Sequence, residues 1–133
     1  SAWWEYAELD QAAATLGLSQ AAPRQYLYQT WPTWFNAFVD REHGEVWGWI
    51  SDIGSAKVHL WKNGYHSLEH ALIGYLSGSV FQHQPITLYF ATPMTTGADQ
   101  PIYYYRGHIS QSKAVGKSPS GLPLWQVTVQ QLQ

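Results

Sequence analysis

The chain contains no cysteine. A disulfide framework and a thiolate metal site are both excluded, and the redox compartment is left open. Charge is scarce as well: Lys, Arg, Asp and Glu supply 12% of the 133 residues, roughly half the share usual in globular proteins. A surface so poor in charge points to burial against a partner or within a larger protein. The net charge of −2 gives no electrostatic reason to expect nucleic acid or an anionic membrane. No apolar run approaches the ~20 residues that span a bilayer as a helix. No basic segment followed by an apolar one opens the chain, so no signal peptide is read and a cytoplasmic setting is expected. Ser1 stands directly before a helical pattern, which reads as a cut or processed end.

Aromatic residues are what the chain has in excess. Eight Trp, nine Tyr and four Phe make 16% of it. Such rings suit a core, and they also suit sugar rings, whose C–H faces stack on them.

Periodicity places the elements. Leu9, Ala12, Ala13 and Leu16 recur at helical spacing, so Trp3 to Leu16 reads as a helix with Gly17 as its cap. A second helix is expected over 24–39, kinked or divided at Pro32. Glu45 to Ile50 alternates like a short strand, with 57–61 as its partner after a turn at 51–55. A third helix is expected over 66–78, with Leu68, Ala71, Leu72, Tyr75 and Leu76 on its apolar face. Beyond Gln84, segments 86–91, 102–109 and 124–129 read as three antiparallel strands, and 110–123 as a Gly/Ser/Pro-rich link. Tyr103, Tyr104 and Tyr105 are expected to dock this sheet on the helices. Two domains follow: a helical segment with a short hairpin over 1–82, and a β-rich extension over 83–133 packed on it.

The densest chemistry lies between Trp61 and His70. His66-x-x-Glu69-His70 places two imidazoles one helical turn apart, a proper spacing for one zinc ion, with Glu69 as a possible base. A catalytic zinc needs a third protein ligand. No Glu follows Glu69, and Asp99 is the only later Asp. This reading is therefore the weaker one, and neither metal nor cofactor is expected.

Trp3-Trp4-Glu5-Tyr6-Ala7-Glu8 resembles the Trp-Trp-x-x-Ala-Glu helix start of the N-acylglucosamine 2-epimerase superfamily, which includes cellobiose 2-epimerases and mannose-type aldose–ketose isomerases. Asp40 to Trp49 is similar to that family's Asp-x-x-x-Gly-x-x-Trp hairpin, and Leu60 to His66 to its late Trp-Lys-x-x-Tyr-His segment. The three occur in family order and cover residues 1–80. The resemblance implies a mainly α fold, with this chain supplying the C-terminal helices of an (α/α)6 toroid and then a small antiparallel β extension. A full toroid needs about 300 residues, since twelve helices of 11–12 residues come before any loop is counted. The chain is thus expected to be a C-terminal piece, completed by the remainder of the barrel or by a second chain.

The resemblance also implies the chemistry, which is proton transfer next to the carbonyl of a mono- or disaccharide. Histidine suits both directions of that step near neutral pH. His66 matches one catalytic His of the family, Trp61 the aromatic that stacks on a sugar, and Trp4 and Glu8 the wall of the same funnel. Glu8 could orient a sugar hydroxyl or a histidine. Tyr6 stands where the family has Gln. The family's second catalytic His, on an upstream Gly-His-x-x-Glu helix, has no counterpart, so the chain alone is expected to be inactive or nearly so. The alternative is a carbohydrate-binding or protein-interaction module without catalysis.

Overall fold

In a computed structural model that describes residues 1–54 and 57–133, helix α1 runs from Trp3 to Gly17. Its start is fixed twice. Glu5 Oε2 accepts the Ala2 N–H at 2.8 Å, and the Trp3 N–H donates to the Gly48 carbonyl at 3.0 Å. Its end is held by Arg24, whose guanidinium donates to the Gly17 and Leu18 carbonyls, the cation a helix C-terminus favours. The buried residues include Trp3, Ala7, Asp10, Ala13 and Ala14. Of the expected stripe Leu9, Ala12, Ala13 and Leu16, Ala13 is buried, while Leu9 and Leu16 are more than half exposed. The small side chains at 7, 13 and 14 let neighbouring elements approach, and they set the face.

Helix α2 spans Ala21–Thr33 and packs on α1. Pro32 lies inside it and has no N–H to give the Tyr28 carbonyl. Within two residues the helix widens into a π-helical turn, Trp34–Phe38, closed by the Val39 N–H on the Trp34 carbonyl at 3.1 Å. The widened turn buries Trp34 and Phe38. They join Ala2, Trp3, Ala7 and Val46 in one apolar cluster.

The strand expected over 45–50 does not form. Two isolated bridges, Val39 with Val46 and Ala2 with Trp49, replace it, and a 3-10 turn follows at Ile50–Asp52. Asp40 starts the reversal by accepting the Glu42 and His43 N–H groups at 2.9 and 3.0 Å. Gly44 and Glu45 then take left-handed φ of 73° and 68°. No strand covers 57–61, and the end of the turn read at 51–55 falls on Ser55, outside the described residues. Helix α3 runs Gly64–Phe81, longer at both ends than its periodicity predicts. Asn63 opens it by accepting the Tyr65 N–H at 3.0 Å.

The chain divides into two units, Ser1–Ser77 and Gly78–Gln133. The second holds β1 (Ile86–Phe90), β2 (Asp99–Ile102), β3 (Tyr105–Lys117) and β4 (Pro123–Gln130). They form an antiparallel sheet of order β1-β4-β3-β2. Alternation puts Tyr105, Gly107 and Ile109 of β3 on the buried face, with Ile86, Ile102, Val127 and Val129. Gly107 is required there, because a Cβ would collide with the Val129 side chain. Register shifts at 109/111 and 114/116 bend β3, as bulges do, and the sheet curls into a half-barrel.

The expectation of a mainly α fold, a piece of an (α/α)6 toroid, is therefore corrected. Among the described residues helix takes 41% and strand 26%, and that balance is mixed α and β. The segment 110–117, read as a link, is the second half of a strand. Its Ser, Lys and Gly residues lie on a β3 that pairs with β4 along its length. Tyr103 and Tyr104 turn the β2–β3 hairpin and stay exposed, while Tyr105 is buried. Among the described residues no helix is long and apolar enough to cross a membrane.

Candidate functional site

The first turns of α1 and α3 meet through their side chains. His66, in the opening turn of α3, directs Nδ1 to Glu8 Oε1 of α1 at 2.7 Å. The His66 side chain is 28% exposed and that of Glu8 49%. The pair is thus open to a solute on one side. The edge of Trp3 lies against the imidazole, ring centroids 6.2 Å apart at 77°, and Tyr65 flanks it at 5.3 Å. With Nδ1–H donated to a carboxylate, Nε2 carries the lone pair. That is the arrangement in which an imidazole serves as a base.

A second pair lies deeper. His70 Nε2 meets Asp10 Oδ2 at 2.8 Å, and the two side chains are only 5% and 1% exposed. The His70 ring rests on Trp34, centroids 4.1 Å apart, and Trp34 in turn stacks on Phe38. Oδ1 of Asp10 is buried with no hydrogen-bond partner among the described residues. His70 is thus the group that holds this carboxylate. Glu69, also buried, accepts the Tyr65 hydroxyl at 3.2 Å.

The predicted site residues come together in part. Glu8 and His66 are in contact, as their place on two helix starts permits. Trp4 is 45% exposed on α1. Trp61 is 81% exposed in the turn before α3, and no ring contact joins it to His66 among the described residues. The indole against His66 is Trp3, which the periodicity of α1 did not single out. The signal was its place in the Trp3-Trp4 doublet, where one ring had to face inward. Asp10 was missed too, because a carboxylate in a helix interior reads as solvated until its partner is known. The zinc geometry is not what α3 builds: the two imidazoles reach separate carboxylates, and among the described residues no group of three or more His, Asp and Glu side chains is placed to hold one ion.

The hairpin residues brace this region. Lys62 forms an ion pair with Glu45, and Lys57 one with Asp40 at 2.5 Å. The Lys57 hydrogen bond, aided by the His43 and Glu42 N–H groups, holds the Asp40 carboxyl well below the usual carboxylate range.

No family model matches the chain, and neither a curated protein nor a solved structure matches it.

Proposed function

We propose that the Glu8–His66 pair performs acid/base proton transfer next to the carbonyl of a mono- or disaccharide, as one half of a site that other residues complete. The observation that carries this reading is the 2.7 Å contact from Glu8 to His66 Nδ1. It orients the ring and leaves Nε2 as the reactive atom. Oriented bases of this kind contribute rate factors of ~10²–10⁴. The exposed indoles of Trp4 and Trp61 supply apolar faces of the sort sugar rings stack on. Leu60, Trp61 and Leu68 are each more than 70% exposed, which supports a covering chain.

One base is enough to exchange a proton with solvent even when the second is absent. The test is therefore deuterium incorporation at the carbon next to the carbonyl. Mannose, glucose, fructose and N-acetylmannosamine are each incubated with the chain in D2O and read by NMR. Exchange that disappears in His66→Ala and falls in Glu8→Gln supports the reading. Exchange equal in wild type and His66→Ala, or no exchange with any of the four sugars, refutes it. Sugar binding by the wild-type chain with no exchange, kept in His66→Ala, would identify a binding module instead.

A further inference from the structure

A second recess lies at the 40–47 reversal. Its cavity of about 500 Å³ is lined by Asp40, Glu42, His43, Trp47, Gly54 and Lys57, within the ~300–1,000 Å³ range of small-molecule sites. Neither Glu8 nor His66 borders it. We propose that this recess is a binding subsite for a neutral polyhydroxylated ligand, a saccharide.

The charges argue against an anionic ligand. Lys57 gives its ammonium to Asp40 at 2.5 Å and to the Gly44 carbonyl at 2.6 Å, and sits 4.9 Å from the centre of the Trp47 ring. The cation is thus compensated within the protein, and an arriving anion would compete with a carboxylate already in place. Asp40 is equally committed: it also accepts two backbone N–H groups. What the wall offers is polarity without a free charge pair. The rim adds the Glu42 carboxylate, 85% exposed, and the His43 imidazole, 71% exposed. An ionised carboxylate accepts, and an imidazole donates and accepts. Together they match hydroxyl groups, which do both. Trp47 supplies an apolar wall for C–H groups. At Gly54 an added Cβ would meet nothing within 4 Å among the described residues other than its chain neighbours. Acceptors, a donor and an indole around an open recess suit a ring that carries hydroxyls on its edge and C–H bonds on its faces.

The experiment is an NMR titration of the full ¹⁵N-labelled chain with cellobiose. Inorganic phosphate and acetate are titrated in parallel. Expected are saturable shifts confined to amides 40–47 and the Trp47 indole N–H, unchanged in His66→Ala. Trp47→Ala should weaken binding about tenfold. Glu42→Ala and His43→Ala alter side chains that the fold does not need, and each should weaken it by a factor of ~3–10. The proposal is overturned by the absence of saturable shifts, by shifts that persist in all three variants, or by phosphate or acetate producing the same shifts. Because His66 is outside the recess, binding here and proton exchange at Glu8–His66 can fail independently.

Discussion

Breaking the buried Asp10–His70 pair should cost the first unit far more than breaking Glu8–His66. The side chains of Asp10 and His70 are 1% and 5% exposed, so neither can turn to water when its partner is removed. Truncating one member of such a pair costs ~3–5 kcal/mol. His70→Ala also removes the ring that rests on Trp34 at 4.1 Å, a contact worth ~0.5–1.5 kcal/mol. Glu8 and His66 are partly solvated, and exposed pairs contribute ~0.2–1 kcal/mol. For a domain of 60–100 residues, 1 kcal/mol moves Tm by ~4–8 °C, so a loss of 3 kcal/mol moves it by ~12–24 °C. The assay is urea unfolding of Asp10→Ala, His70→Ala and the double variant, beside Glu8→Ala, His66→Ala and theirs. Tryptophan fluorescence reports on the right unit, because every Trp except Trp125 lies within Ser1–Ser77. The expected coupling energy is ~1.5–3 kcal/mol for the buried pair, as for hydrogen bonds to charged groups. A buried-pair coupling no larger than that of Glu8–His66 would refute the argument, since burial is the physical difference that sets their energies apart.

Glu8→Gln should remove the carboxylate that fixes the Nδ1–H tautomer of His66 while changing stability by less than about 1 kcal/mol; imidazole ¹⁵N shifts identical in both proteins would contradict this. Gly107→Ala pushes a Cβ into Val129 and should destabilise the sheet by ~1–3 kcal/mol, a loss reduced by a companion Val129→Ala. A thermal melt of Gly107→Ala that matches wild type by circular dichroism would count against the close approach. The depressed Asp40 pKa gives a pH signature. The unfolded chain takes up this proton near the ordinary carboxylate pKa of about 3.9, and the folded chain only well below it. The stability it provides is complete above that pH and lost as pH falls toward the folded value. Asp40→Asn should therefore flatten the acid limb of urea midpoint against pH below about pH 4, and an unchanged limb would exclude the Lys57 contact as its cause.

The helices were legible because their breaks are local. Pro32 marks a distortion by its own backbone chemistry, and the structure uses it; Gly17, read as the cap, is instead the last residue of α1, which Leu18 caps, and the side-chain start at Asn63 was not read. Of the four strands past Gln84, β1, β4 and the start of β3 were legible where β-branched residues gather; β2 was not, and 102–109, read as one strand, is broken by the turn at 103–104. Residues 110–117 were not legible, because Ser, Lys and Gly carry loop chemistry in isolation, and their strand is made by pairing with β4. The segment 45–50 failed in the opposite sense. It alternates properly, but its pairing is split between two elements: Trp49 bridges Ala2 and packs on Trp3 at 5.7 Å, and Trp47 lies beside Lys57. Two isolated bridges, Val46 to Val39 and Trp49 to Ala2, are the pairing found there. At the site, the contact between Glu8 and His66 could be suspected from two helix starts, whereas Trp3 and Asp10 became visible only with their partners.

Helix α3 shows why the candidate site was harder to see than the helix bearing it. Counting apolar residues puts Leu68, Ala71, Leu72, Tyr75 and Leu76 inward and His66, Glu69, His70 and Ile73 outward. The structure turns the second face inward: Glu69, His70 and Ile73 are buried with Leu76, while Leu68 is 73% and Tyr75 44% exposed. A polar face can be buried when each group finds a partner, and here the partners come from outside the helix or from its previous turn. Asp10 takes His70, Tyr65 reaches Glu69, and Glu8 meets His66 at the rim. None of those pairings is a property of the 66–78 periodicity. The same inversion accounts for the two histidines having different roles. Four residues apart on one face, they lie at different depths, so one can meet a solute while the other fixes the helix on α1.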